Sequence, residues 1–310
     1  MARPKVKGVQ HVLTGVRDYQ EARGFYGDIL GVTEKFYDYG ISWNACPDLY
    51  RASHHYAYAG YYGRKEGGIL VECAQLTQPT PRPIHSKARY GDLGVNKITI
   101  EVSDVKQFCE KYKDKITFLC QPKSTEVPGW GDYAFIYGAD RDGNLIEFIS
   151  SSRIHVKETI GSIRSVGLSV TELDRSIDFY QRHCDFDTME VKPHESFSGL
   201  VGEVSGSNNT LVRSCLLANS NGFNMLELYE VSKPRGRCVP FHCIMGDIGW
   251  QEMCFVTEDV LGVAKYCIEQ EIEFACHPTP IDLKLEDGWK KKWFMHARDP
   301  DGILVEFIEL

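Results

Sequence analysis

The same ending is written twice in this chain of 310 residues. Asp140-Arg141-Asp142-Gly143-Asn144-Leu145-Ile146-Glu147-Phe148-Ile149 returns as Asp299-Pro300-Asp301-Gly302-Ile303-Leu304-Val305-Glu306-Phe307-Ile308. Each copy sets a tight turn before an apolar strand. Asp bonds its own backbone in such turns, and Gly tolerates positive φ. A Glu among strand-forming residues is costly to bury unless its charge is paired or metal-bound. The repeat therefore constrains the fold, and the embedded Glu marks where chemistry would sit.

The other ends of the two copies match as well. Val9 to Val16 leads to Asp18 and then Phe25-Tyr26, while Ile163 to Val170 leads to Thr171–Asp174 and then Phe179-Tyr180. Asp and Thr suit helix starts, where side-chain oxygens accept otherwise free backbone N–H groups. The Phe-Tyr pairs are expected to pack on a sheet. The pattern recurs inside each copy: Val95 to Val102 precedes Asp104 and a short amphipathic segment, and Trp250 to Val256 precedes Asp259 and another. Short apolar runs broken by Gly, Asn, Asp or Pro follow each helix. Each half then reads as strand, helix and three strands.

The copies align almost in register. Position 11 maps to 165, 72 to 227 and 97 to 251, offsets of 154, 155 and 154; position 147 maps to 306, an offset of 159. The difference places a small insertion in the last half, expected in a polar loop over 278–292. The expected division is residues 1–152 and 159–310, an α+β chain of two modules.

Composition bounds the function. Thirty-five basic and 43 acidic residues give a net charge of -8, which supplies no electrostatic reason for nucleic-acid binding. No apolar run has membrane length, and no secretory signal precedes the first strand. Eleven cysteines without a Cys-x-x-Cys pair read as reduced thiols, with a cytoplasmic location expected.

The Val16-x-Asp18 start with Phe25-Tyr26, its counterpart around Phe179-Tyr180, and both Asp-x-Asp-Gly…Glu endings together resemble the vicinal oxygen chelate superfamily. That is the group of glyoxalase-like proteins, bleomycin-resistance proteins and extradiol dioxygenases. The resemblance covers nearly the whole chain. It implies four βαβββ half-modules forming two cup-shaped mixed sheets, paired across modules. It also implies ligands from two strand positions per half, one in the first strand and one in the last. On this chain those positions are His11 with Glu72, Lys97 with Glu147, Ser165 with Glu227, and Gln251 with Glu306.

Pairing the outer halves gathers His11, Glu72, Gln251 and Glu306, an imidazole, two carboxylates and an amide. This set suits one divalent ion such as Zn, Ni, Co, Mn or Fe. The inner halves gather Lys97, Glu147, Ser165 and Glu227. There a protonated ammonium, which has no lone pair, would offset the acids in a cup without metal. A strand histidine or a glutamine taken singly is more often structural.

Four protein ligands leave an octahedral ion two adjacent positions for substrate oxygens. A small bidentate substrate would be activated beside its carbonyl, as an enolate or enediolate forms. Glu306 and Glu72 are the candidate catalytic carboxylates. The expected activity is a metal-dependent lyase or isomerase/epimerase. The alternatives are an extradiol-type dioxygenase acting on a catechol-like ring and a metal-free small-molecule binding or resistance protein. His54, His55, His296, Tyr58, Trp130 and Trp293 are the expected pocket residues. Partners are a small-molecule substrate, with no membrane or nucleic acid, and the chain is a monomer or homodimer.

Overall fold

Four strand-first units follow one another along the chain. The computed structural model describes residues 4–43, 47–50, 55–64, 67–195, 197–222, 224–285 and 288–310. The first unit is β1 (Val6–Gly15), α1 (Tyr19–Arg23), β2 (Glu34–Trp43), α2 (Pro47–Tyr50), β3 (His55–Gly63) and β4 (Leu70–Gln78). The second is β5 (Gly94–Val102), α3 (Val105–Tyr112), β6 (Thr117–Phe118), β7 (Lys123–Val127), β8 (Gly131–Ala139) and β9 (Leu145–Ser150). The third is β10 (Ile160–Val170), α4 (Leu173–His183), β11 (Thr188–His194), α5 (Gly202–Ser205), β12 (Leu211–Ala218) and β13 (Met225–Lys233). The fourth is β14 (Gly249–Thr257), α6 (Val260–Glu269), β15 (Phe274–Leu285), β16 (Gly288–Arg298) and β17 (Leu304–Glu309).

The strands form two mixed sheets. An eight-stranded sheet runs β15-β16-β17-β14-β1-β4-β3-β2, here the outer sheet because it holds the first and fourth units. A nine-stranded inner sheet runs β11-β12-β13-β10-β5-β9-β8-β6, with β7 also on β8. Antiparallel β1–β14 and β5–β10 pairs lie at the two centres, and parallel pairs flank them. One large core, including Val12, Val71 and Met253 of the outer sheet and Ile98, Ile146 and Val166 of the inner one, covers the helix-facing sides. Successive strand residues point to opposite faces, so each sheet has a second face with its own smaller cluster.

Helix starts follow the sequence. Asp18 accepts from the N–H groups of Gln20 and Glu21, Asp104 from Gln107 and Asp259 from Gly262. Glu172 begins α4 without a side-chain cap. Instead Thr171 donates its backbone N–H to Asp301 at 2.8 Å.

That last contact belongs to a repeated device. Within each Asp-x-Asp-Gly turn the first Asp accepts two backbone N–H groups. Asp140 takes those of Asp142 and Asn144, and Asp299 those of Asp301 and Ile303, all at 2.9 Å. Its other oxygen accepts the Phe-Tyr phenol of the preceding unit, Tyr26 to Asp140 at 2.9 Å and Tyr180 to Asp299 at 2.8 Å. The tyrosines are thus anchors as well as packing groups. Burial pushes the Asp299 carboxyl up to about 6 against the bonds that favour its charge. Tyr180→Phe should cost about 1.5–3 kcal/mol, since a bond to a buried acid is lost. Urea denaturation checks this, and a loss below about 0.5 kcal/mol would count against an anchoring role.

Two expectations change. Residues 278–292 do not form a loop: β15 and β16 make a long hairpin, with Thr279 opposite Phe294 and Asp282 opposite Lys291. The alternation Ile281-Asp282-Leu283-Lys284-Leu285 has the period of a strand, so the insertion lengthens a hairpin. Cys276 is disulfide-bonded, although all thiols were expected to be reduced; the described cysteines elsewhere are free. No helix among the described residues is long and apolar enough to cross a membrane.

Candidate metal centre

Strand register decides which side chains meet on the outer sheet. On β1 and β14, His11 lies opposite Cys254 and Leu13 opposite Glu252. Leu13 is beside Glu72 on β4, Cys254 beside Glu306 on β17, and Glu306 opposite His296 on β16. Directly paired residues share a face, so His11, Glu72, Glu252, Cys254, His296 and Glu306 converge on one side. His11 Nε2 stands 3.4 Å from Glu72 Oε2 and 3.1 Å from Glu306 Oε2. His296 Nε2 is 2.7 Å from Glu252 Oε2. All five of these residues are at most 9% exposed.

Three overlapping groups, His11/Cys254/Glu306, His11/Glu72/Glu252 and Glu252/His296/Glu306, have donor atoms within 4.8 Å of one another. Glu252 Oε2 and both ring nitrogens of His296 are buried without a hydrogen-bond partner. These two side chains are close but not aligned for a hydrogen bond, as befits donors directed toward a common cation rather than toward each other. His11 Nδ1 contacts Gln10 Oε1. In the neutral imidazole that contact places the proton on Nδ1 and turns the Nε2 lone pair toward Glu72 and Glu306.

The electrostatics agree with a cation site. Burial alone would lower the His11 imidazole, but Glu306 and Glu72 raise it to about 10. Burial would raise the Glu306 carboxyl, but His11, His296 and the Cys254 thiol hold it at about 2. His296 is raised by Glu252 against its burial, and burial pushes Glu252 up. Three buried acids therefore demand positive charge, which protons on the imidazoles or a divalent ion can supply. The residues present fit such an ion: carboxylates and imidazoles are suitable donors for Zn and its neighbours.

Gln251 is not among them. Leu13 opposes Glu252 while Thr14 opposes Trp250, so Gln251 is the extra residue of a β-bulge. Its amide nitrogen donates to Ile244 O at 3.0 Å and Asp247 O at 2.8 Å, and its oxygen accepts from Gly246 N at 2.6 Å. The inner sheet repeats the arrangement. Gly167 opposes Lys97 while Leu168 opposes Val95, leaving Asn96 as the bulge residue. Asn96 also holds the preceding loop, donating to Arg89 O and accepting from Gly91 N. Aligning Asn96-Lys97 with Gln251-Glu252, an amide followed by a charged residue in each, would have exposed the one-residue shift. Glu252→Gln is expected to weaken metal binding by more than the about 10–100-fold that loss of an outer partner costs. Gln251→Ala should keep the metal. Competition with a chromogenic chelator measures both, and the reverse order would restore Gln251 as ligand.

The other expected pocket residues scatter. His296 joins the group. Tyr58 opposes Gln75, on the face away from Glu72, and is 53% exposed. Trp293 packs into the helix-side core, opposite in face to His296. Trp130 belongs to the inner sheet's cluster. His54 and the side chain of His55 lie outside the described residues.

The inner sheet carries a different centre. Lys97 is fully buried, and its Nζ bonds Glu147 and, at 2.6 Å, Glu227 Oε2. Glu147 also accepts from Thr99 Oγ1 at 3.0 Å and Tyr137 OH at 2.9 Å. The ammonium lies between two strand glutamates, where the outer sheet has His11. A methyl group on Gly167 would meet Lys97 Cγ at 2.6 Å, so the glycine opposite makes room for the lysine stem. Ser165 lines a pocket beside this triad.

Comparison with known proteins places the chain in a wider group. Residues 8–148 and 162–307 each match the family model described as Glyoxalase/Bleomycin resistance protein/Dioxygenase superfamily. Among solved structures, glyoxalase I from Zea mays superposes with a TM-score of 0.62 at 16% identity, covering 98% of this chain and 92% of that one. A putative dioxygenase from Bacillus subtilis superposes with a TM-score of 0.59 at 16% identity, covering 99% and 86%. At such identities the likeness concerns the fold alone. No curated protein matches the sequence.

Proposed function

The chain belongs to the glyoxalase/bleomycin resistance protein/dioxygenase superfamily, and on that footing we propose that it is a metal-dependent lyase or isomerase/epimerase acting beside a carbonyl. The observation that carries this reading is the convergence of His11, Glu72, Glu252 and Glu306 on one face of the outer sheet, with His296 at their side. Those four residues would hold one divalent ion, Glu252 taking the place expected of Gln251. The ion would supply a Lewis acid for a substrate bearing two adjacent oxygens. The functional cup is then shared between a first module over 1–152 and a second over 159–310.

The carboxylates divide the remaining work. Glu306 is the holding ligand, since it faces both His11 and His296 and carries its charge down to about pH 2. Glu72 contacts His11 at the longer distance of 3.4 Å. We assign it the proton: it takes one from the carbon beside the carbonyl and returns it to that carbon or its neighbour. The apolar groups around the centre, among them Leu13, Ala74, Leu76 and Phe294, exclude water and strengthen these electrostatic effects. Incorporation of solvent deuterium into product, lost on thorough metal removal and restored by Zn, Ni, Co or Mn, is the expected result. Turnover unchanged by metal removal would overturn the reading.

His296 favours a second reading. It brings a second imidazole beside Glu306, and two histidines with one carboxylate suit a non-haem iron dioxygenase. Oxygen consumption with a catechol-like substrate and Fe(II), without deuterium incorporation, would select that chemistry instead.

A further inference from the structure

The inner sheet holds a small cavity that the proposed metal chemistry does not use. Val127, Ile149, Val191, Phe197 and Leu216 wall a volume of about 40 Å³, which suits about three waters or a ligand of three or four heavy atoms. Three nitrogen atoms on its lining residues are buried without a hydrogen-bond partner: Trp130 Nε1, Arg164 Nε and His194 Nε2. Buried polar atoms without partners are rare in folded proteins and call for a missing one.

The three nitrogens ask for different things. Trp130 is 4% exposed, and the Arg164 guanidinium carbon stacks 4.9 Å from its ring centroid. Indole and guanidinium N–H groups can only donate. His194 Nδ1 donates to Lys192 O at 2.9 Å, so in the neutral ring Nε2 carries a lone pair and accepts. A fitting ligand must therefore offer an acceptor to Trp130 and Arg164 and a proton to His194.

The charges around the cavity narrow the choice. Arg164 pairs with Glu101, and Glu227 with Lys97. Burial pushes the Tyr133 phenol well up and the Cys215 thiol to about 12, so both stay neutral. A bare anion would meet no unpaired cation among these lining groups. A carboxyl group that keeps its proton, or passes it to His194 Nε2, adds no net charge and answers all three nitrogens.

We propose that this cavity binds a short-chain monocarboxylic acid of acetate size, taken up together with one proton and independently of the metal centre. One carboxyl oxygen would accept from Trp130 Nε1 and Arg164 Nε. The other would share the proton with His194 Nε2, and the methyl group would lie against the apolar walls.

Acetate is the probe, titrated against the full chain by ligand-observed NMR, with benzoate as a carboxylate too large for the space. Saturable acetate binding is expected, at roughly the millimolar affinity open to a ligand of four heavy atoms, without displacement by benzoate and unchanged in His11→Ala. Because one proton enters with each acetate, affinity should fall about tenfold per pH unit above about pH 7. Trp130→Phe keeps an aromatic ring and removes the N–H, and should weaken binding about tenfold, the worth of one hydrogen bond. His194→Phe, which cannot receive the proton, should weaken it by at least as much. Absence of saturable binding, an affinity independent of pH, equal affinity in either of these variants, displacement by benzoate, or loss of binding in His11→Ala would each overturn the proposal.

Discussion

Lys97→Met should destabilise the protein by about 3–5 kcal/mol, the cost of leaving a buried ion pair with one partner missing. Lys97 is fully buried, as is Glu147, and Glu227 is 8% exposed. Removing the ammonium leaves two acids facing each other in an apolar cup. Thr99 and Tyr137 would still bond Glu147, but a hydroxyl cannot replace a cation. Replacing all three charged groups, Lys97→Met with Glu147→Gln and Glu227→Gln, should recover most of the loss, because no uncompensated charge remains. Urea denaturation of the three proteins decides the matter. A single substitution costing under about 1 kcal/mol would mean that the triad is solvated and not a buried pair.

The pH dependence of that variant has a definite sign. Burial already raises the Glu227 carboxyl in the intact protein, and Glu147 adds to it, while Lys97 pulls it down. Without Lys97 the rise is larger. A carboxyl with a raised folded value binds protons more readily in the native than in the unfolded state, so stability falls as pH increases through that value. Lys97→Met should therefore recover stability on acidification relative to the intact protein.

Glu72→Gln should lower the rate of proton exchange at the substrate carbon by about 10²–10⁴-fold, the usual contribution of a positioned base. The amide keeps nearly the same volume but cannot take up the proton, so exchange should fail even where added metal saturates the variant. Glu306→Gln should behave differently. Glu306 lies 3.1 Å from His11 and also faces His296 and Cys254, so its loss should show first in metal retention. Equal exchange rates in Glu72→Gln and the unaltered protein would move the proton to another group, with Glu252 next to be tested.

Much of the architecture was legible because turns and periodicity are local. Asp140 and Asp299 take the turn bonds that Asp-x-Asp-Gly suggests, and Asp18, Asp104 and Asp259 cap the helices they precede. His11, Glu72 and Glu306, expected from their strand positions, come together on one face of the outer sheet even though β1 shifts register just before His11. Counting failed at β14, where one bulge residue shifts the inward face from Gln251 to Glu252. A bulge is fixed by the partner strand and leaves little mark in its own sequence. Trp293 and Tyr58 were misplaced for a related reason, whereas Trp130 lines a pocket, that of the inner sheet. Which face or sheet receives an aromatic residue depends on long-range register, and an aromatic strand residue looks alike on either side.

The metal content of untagged protein, measured for the intact chain and for His11→Ala, Glu306→Ala and Gln251→Ala, tests the central claim most directly. One divalent ion per chain is expected in the intact protein and in Gln251→Ala, with loss in the other two variants. Metal retained in both His11→Ala and Glu306→Ala would contradict the account.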